Sequence, residues 1–361
     1  MIEKYLKGEE KIVLSLRSLY SKYGYLPYKM NKFEEYDLYA KNKDFLVSDS
    51  IITFTDTNGK LMALKPDVTL SIIKNANEEK GTKSKVYYSE NVYRISGSTR
   101  EYKEIMQTGL ELIGDLDIYD TYEVISLARA SLEAISSDYV LEISHMGVIL
   151  AIVSKISESE IFHQKALECI GKKSTHAAMQ LAKEYSLDSA ASELLGALCT
   201  LYGTPSAVIE KLEKIAKFPE ISIFITELKE IDKLLKGEKN YQKIRFDFSI
   251  VNDMNYYNGI VINGYINGIC ECVLFGGGYD KLLSKMGKKC SGIGFAIYTD
   301  LLSSLNEESH AYDVDSLIIY NDKTDVAALN DLVKEQIAKG KSVTTQRQIP
   351  SKLRYREILE I

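Results

Sequence analysis

Apolar side chains recur at helical spacing over Glu9–Tyr23, where Ile12, Val13, Leu16, Leu19, Tyr20 and Tyr23 share one face and Gly24 supplies a stop. The period then shortens to that of strands. Ser50–Asp56 and Lys60–Leu64 read as a pair joined through Asn58-Gly59, a dipeptide suited to a tight hairpin turn. Pro66-Asp67 opens a short helix running to Ile73. Two further strands are expected over Lys85–Ile95 and Glu104–Gly114, around a Gly/Ser/Thr loop. A long amphipathic helix follows, from about Tyr119 to Ile135.

From Ser154 to Lys239 the pattern turns helical, with little strand signal. Ser174–Tyr185 and Ser206–Lys217 are examples; Gly203-Thr204-Pro205 reads as the turn before the second, and Ser206 as its N-cap. Strand signal returns at Ile244–Ile250 and through Tyr256–Asn263 and Gly264–Phe275, where Gly276-Gly277-Gly278 is expected to end it. The last stretch alternates a strand (Ser316–Tyr320), a helix (Asp325–Ala338) and a strand (Ser342–Thr345). These elements describe an α+β protein with a mostly antiparallel sheet, split by a helical insertion and followed by a short α/β tail. The expected divisions are 1–153 and 240–305 for the two parts of the core, 154–239 for the insertion and 306–361 for the tail.

Composition narrows the function classes. The 45 basic and 51 acidic residues leave a net charge of −6, which argues against a surface devoted to nucleic acid while leaving room for a local basic groove. Cys169, Cys199, Cys270, Cys272 and Cys290 form no metal-ligand spacing, so no metal site is expected and reduced core thiols are the simplest reading. Cys270 and Cys272 would share a face if they lay in a strand. The opening MIEKYLKGEEK lacks the apolar segment of a signal peptide, and no apolar run is long enough to span a membrane. A cytoplasmic location without membrane contact is therefore expected.

Four segments, in order, resemble the catalytic core of class II aminoacyl-tRNA synthetases, and histidyl-tRNA synthetase in particular. They are Leu64-Lys65-Pro66-Asp67-Val68-Thr69; Val92-Tyr93-Arg94 with Gln107-Thr108-Gly109-Leu110-Glu111; Tyr256-Tyr257-Asn258-Gly259; and Gly276-Gly277-Gly278-Tyr279-Asp280 with Gly294-Phe295-Ala296. The resemblance covers roughly Glu9 to Leu302 and implies a class II synthetase-like antiparallel sheet flanked by helices.

In physical terms, Asp67, Glu111 and the Gln107 amide oxygen are acceptors, and an ammonium group offers three donors to such groups. Gln107 and Glu111 are four apart, so a strand puts them on one face. Thr69 can add a hydroxyl, Tyr256 and Tyr257 can wall a pocket for a flat ring, and Arg94 completes the candidate amino-acid site. Each residue also has a plainer reading. Asp67 fits a helix cap, the tyrosine pair fits a core, Arg94 fits a surface ion pair and the triple glycine fits a turn.

Amino-acid activation needs arginines to neutralise the carboxylate and the ATP phosphates. Against the synthetase pattern, the arginine four residues before the tyrosine pair is Asn252, that of Gly-Gly-Arg-Tyr-Asp is Gly278, and that of motif 3 is Leu301. A basic position in the motif 2 loop reads Glu101, with Arg100 next door. Only 59 residues follow Leu302, fewer than the ~90–100 of a full anticodon-binding α/β layer, and the basic end Lys352–Arg356 reads as a solvated terminus. Gly24-Tyr25 and Phe33-Glu34 resemble the dimer-forming motif 1, with Asn31 at its proline position.

A synthetase core with these losses resembles the family of ATP phosphoribosyltransferase regulatory subunits. The resemblance implies no catalysis, no cofactor and no tRNA. It further implies partnership with a short catalytic subunit, self-association as a dimer and a part in feedback by histidine in the first step of histidine biosynthesis. The rival readings are an active histidyl-tRNA synthetase and a stand-alone amino-acid or RNA sensor.

Overall fold

The computed structural model describes residues 6, 8–43, 51–76, 79–95, 99–251, 256–306 and 312–361. The chain divides into two units, 1–305 and 306–361.

The first unit starts with α1 (Gly8–Lys22), β1 (Leu26–Pro27), β2 (Phe33–Glu35) and α2 (Tyr36–Ala40). The expected hairpin forms as β3 (Thr53–Thr55) and β4 (Leu61–Leu64), with Gly59 at φ +80 in its turn. After α3 (Thr69–Asn75) come the long arms β5 (Lys83–Ile95) and β6 (Tyr102–Gly114), then α4 (Ile118–Ile135), β7 (Tyr139–His145) and α5 (Met146–Ile156). The insertion holds α6 (Glu160–Gly171), α7 (Thr175–Glu184), α8 (Ser189–Leu198), β8 (Tyr202–Gly203), α9 (Pro205–Ile215) and α10 (Pro219–Leu235). The chain then returns to the sheet through β9 (Ile244–Asp247), β10 (Ile260–Ile266), β11 (Leu274–Gly278), α11 (Asp280–Lys285) and β12 (Ser291–Tyr298).

Nine of these strands make one sheet in the order β1-β5-β6-β12-β11-β10-β7-β9-β8. It is antiparallel through its centre and parallel only at β1–β5 and β7–β9. Because side chains alternate across a strand, the sheet has two distinct faces. Leu110, Leu112, Phe295 and Ile297 point into the larger core under α1 and α4, where Leu16, Val124, Leu127 and Leu132 are fully buried. Tyr88, Val92 and Ile113 point the other way, against Leu70 and Ile73 of α3 and Leu282 and Leu283 of α11. This smaller face carries the candidate site.

Local chemistry accounts for the main supports. Asp117 and Asp120 form a capping box that starts α4. Tyr20 on α1 lies 3.0 Å from Ser131 Oγ on α4, and Tyr25 donates to Glu123 at 3.1 Å. Lys85 from β5 reaches the same Glu123 at 2.6 Å. These buried polar links fix the α1–α4 layer on the sheet without leaving donors unpaired.

Several sequence expectations are corrected. Ser206 is not the cap of α9: Thr204 holds that position with Pro205 in the first turn, and Ser206 Oγ donates instead to Asp232 at 2.9 Å. The two late runs are cut differently, since β10 spans 260–266 and residues 267–273 form a loop, so Cys270 and Cys272 share no strand face. Cys270 is exposed rather than packed, while Cys169 and Cys199 are buried. Gly276-Gly277-Gly278 ends the strand signal as expected, but from within: these are the last three residues of β11, paired with β12 rather than turning after Phe275.

The second unit is a small α/β layer. In it β13 (Val314–Ile319) pairs in parallel with β14 (Val343–Gln346) on one side and β15 (Tyr355–Glu360) on the other, and α12 (Val326–Ala338) lies between β13 and β14 in sequence. The end Lys352–Arg356, expected as a solvated terminus, instead leads into β15 at Tyr355. Its alternating exposure places Tyr355, Glu357 and Leu359 on the more buried side.

Candidate functional site

The site forms where β6, β12 and β11 run side by side on the smaller face. Register places Gly294 opposite Glu111, Tyr298 opposite Gln107 and Gly277 opposite Gly294. The glycines make a floor that only they can make. A Cβ on Gly294 would stand 1.9 Å from Glu111 Oε2 and 2.4 Å from the Leu110 carbonyl oxygen. Gly277 combines φ +156 with a Cβ position 2.6 Å from the Tyr257 ring. The bare floor thus lets Glu111 and Tyr257 lie flat over the sheet.

Glu111 is 2 % exposed and both its oxygens are engaged. Thr69 Oγ1, at the start of α3, donates to Oε1 at 2.7 Å, and the Tyr279 hydroxyl donates to Oε2 at 2.6 Å. Burial pushes the Glu111 carboxyl up to about 8; the Tyr279 and Thr69 hydrogen bonds restrain the rise, and the Asp67 charge adds to it. Asp67 accepts from the Leu70 amide at 2.9 Å, so its helix-end role is real. Burial raises its carboxyl too, against the Leu70 amide and the Arg94 charge. Arg94 donates through Nε to the Pro66 carbonyl at 3.0 Å and through Nη1 to the Tyr298 hydroxyl at 3.1 Å. It is therefore no surface ion-pair residue.

Tyr256 and Tyr257 pack edge to face with ring centres 4.7 Å apart, and Tyr279 lies 6.4 Å from Tyr256. Burial, followed by the nearby Asp67 and Glu111 carboxyls, drives the Tyr256 and Tyr257 hydroxyls far above their usual range, so both stay neutral donors. Gln107 is buried at 4 % on the same face, but among the described residues it takes no part in the Thr69–Glu111–Tyr279 network. The structure therefore joins Asp67, Thr69, Arg94, Glu111, Tyr256 and Tyr257 in one cluster, with Gln107 at its edge.

Tyr88, Tyr279 and Tyr298 also belong to it and were not singled out from sequence. Tyr279 and Tyr298 lie within or just beyond the matching motifs, so their signal was present. Tyr88 shows itself only through the alternation of β5. Asp280, in the same motif as Tyr279, is structural, accepting from the Gly292 amide at 2.9 Å to tie α11 to β12.

Among the described residues of this cluster Arg94 is the one cation. Leu301 sits in a 3-10 turn (Thr299–Asn306) and packs against the larger core, while Glu101 is exposed. At Gly278 an added Cβ would meet nothing nearer than 3.8 Å, so the lack of a side chain there is not forced by packing. Asn252 lies outside the described residues. The arrangement can accept hydrogen bonds from an amine and wall a flat ring. Among its described residues there is no set of fixed cations to gather a carboxylate and phosphates for acyl transfer. Among the described residues no group of His, Cys, Asp or Glu side chains is placed to hold a metal, and no helix is long and apolar enough to cross a membrane.

Fold and site define a class II synthetase core, and the family model for histidyl-tRNA synthetase matches residues 2–302. The chain belongs to that family. Within it, the chain is similar to the ATP phosphoribosyltransferase regulatory subunit of Oceanobacillus iheyensis, at 26 % identity over 306 residues, covering 84 % of this chain and 75 % of that protein. A crystal structure described as an ATP phosphoribosyltransferase regulatory subunit/histidyl-tRNA synthetase, from Bacillus halodurans, superposes with a TM-score of 0.82 at 22 % identity, over 98 % of this chain and 93 % of that one. A chain of the ATP phosphoribosyl transferase complex of Thermotoga maritima matches with a TM-score of 0.63 at 21 % identity, over 81 % of this chain and 97 % of that one.

Proposed function

We infer that this chain is the non-catalytic regulatory subunit of an ATP phosphoribosyltransferase, acting in the first step of histidine biosynthesis through a short catalytic subunit that condenses ATP with phosphoribosyl pyrophosphate. One observation carries the reading. The synthetase-like site keeps its amine acceptors and aromatic walls, yet Gly278 and Leu301 stand where charge-neutralising arginines would be needed. Losing one such stabiliser typically costs on the order of 10²–10³ in rate, so losing several removes amino-acid activation. The relatives' shared description supports the same conclusion.

Three finer points belong to this proposal. The chain self-associates as a dimer, supported by the motif 1-like segment around Gly24-Tyr25 and Phe33-Glu34. Histidine is its regulatory ligand, supported by the retained acceptors Asp67 and Glu111. It does not serve tRNA, supported by the missing arginines and the net charge of −6. A ligand can bias the complex only through different affinity for its two arrangements.

Histidine-dependent exchange of pyrophosphate into ATP separates this reading from an active synthetase: none is expected. Co-purification separates it from a stand-alone sensor: a short phosphoribosyltransferase should be retained on the tagged chain. Exchange at a synthetase-like rate, or failure to retain that enzyme, overturns the proposal.

A further inference from the structure

The sheet face that carries Glu111 continues across β10, β7 and β9, and there it holds a second polar site. Register runs from Glu111 through Gly294, Gly277 and Val261 to Ser144, so Asn263 and Glu142, each two residues along from Val261 and Ser144, rise from that same face. Asn263 and Glu142 stand directly opposite one another. With Lys173, Asp247, Ser249 and Tyr265 they line a cleft of about 410 Å³.

Its polar groups are only partly used by the protein. Asp247 accepts from the Ser249 amide at 2.9 Å, from Ser249 Oγ at 2.6 Å and from Lys173 Nζ at 2.8 Å. Glu142, by contrast, has no hydrogen-bond or ion-pair partner among the described residues. Asn263 is 6 % exposed, and its buried Oδ1 has no partner, while its Nδ2 lies 3.5 Å from the Tyr265 hydroxyl. Ser144 Oγ, on the same face, is also buried without a partner. An orphaned buried acceptor is costly and uncommon in a native structure. Here one faces a cleft next to an unpaired carboxylate.

We propose that this cleft binds the ammonium group of a small amine, with Glu142 and Asn263 Oδ1 as its acceptors and Asp247 as the fixed charge beside them. An ammonium has three donors and no acceptor, which matches what the cleft leaves open. Lys173 already shows the chemistry: at φ +51 it holds a left-handed backbone that places its own ammonium on Asp247. Burial and the neighbouring Asp247 push the Glu142 carboxyl up, against the pull of Lys173 and Arg245, as suits an acid that lacks a contacting counter-ion. Gly171, at the end of α6, completes the rim; a Cβ there would stand 2.7 Å from Val251. The site is separate from the tyrosine cluster and does not depend on the regulatory reading.

Calorimetric titration of the full chain with methylammonium and histamine, with N-acetylhistamine as the control lacking the ammonium, tests the assignment. Charged amines should bind and the control should not. Glu142→Gln, which keeps the side-chain shape and breaks no existing contact, should weaken binding by about tenfold or more. Asn263→Asp, which adds acceptor charge, should tighten it. Circular dichroism checks that each variant is folded. Absence of amine binding to the unaltered chain overturns the proposal, as does binding that Glu142→Gln leaves unchanged.

Discussion

The two polar regions on this sheet face, the tyrosine cluster over β6, β12 and β11 and the cleft over β10, β7 and β9, differ in how their acceptors are spent. In the cluster, Glu111 takes two hydroxyl donors, at 2.7 and 2.6 Å, and Asp67 caps the start of α3. In the cleft, Glu142 and Asn263 Oδ1 take none among the described residues. Resemblance to a catalytic family points at the first region; hydrogen-bond accounting points at the second. The acceptors of the first region are already engaged by the fold itself, whereas the unsatisfied polar atoms of the second leave hydrogen-bonding capacity open.

The largest effect that would sharpen the contrast lies in the glycine floor. Gly294→Val would drive side-chain atoms into Glu111 and the Leu110 carbonyl, so a loss of about 3 kcal/mol or more is expected in urea unfolding. Gly278→Ala, with 3.8 Å of clearance, should change stability by less than about 1 kcal/mol. Equal effects would remove the account of the floor.

Next comes the pH dependence of the buried acid. Glu111 holds its proton up to about 8 in the folded chain, while the unfolded chain releases it near the ordinary value of 4.5. Between those values the folded state binds the extra proton, so this group makes stability fall as pH rises. Glu111→Gln, which cannot ionise, should flatten that slope. Parallel stability–pH curves for the two proteins would contradict it. An amine bound at this cluster needs the ionised carboxylate, so its affinity should rise as pH approaches 8.

The smallest effect concerns single donors. Thr69→Val removes one hydroxyl from Glu111 while keeping the shape, and should cost about 1 kcal/mol by the same unfolding measurement. Glu142→Gln in the cleft has no such bond to lose and should stay within about 0.5 kcal/mol. Reversal of that order would break the distinction between spent and unspent acceptors.

Sequence periodicity revealed most of the elements, because α1, α4, β5 and β6 each keep a consistent apolar face. It failed where tertiary pairing decides. Glycine in β11 reads as a turn until its neighbours β10 and β12 are known, and Lys352–Arg356 reads as a tail until β13 offers the chain from Tyr355 a ladder. Ser206 resembles a cap because serine favours caps, but Pro205 already starts α9 and Asp232 claims its hydroxyl. The site followed the same division. Asp67, Thr69, Glu111 and the tyrosine pair were legible as a joint motif. Asn263 and Glu142 were not, since they are 121 positions apart and meet only through β-register.

Reconstitution with a short ATP phosphoribosyltransferase catalytic subunit tests the central claim most directly. Initial rates of ATP and phosphoribosyl pyrophosphate condensation would be measured with and without this chain, and with and without histidine. The account predicts that the chain raises the rate while contributing no synthetase activity, and that histidine lowers the rate of the assembled complex. A rate indifferent to the chain would contradict its role as the regulatory subunit.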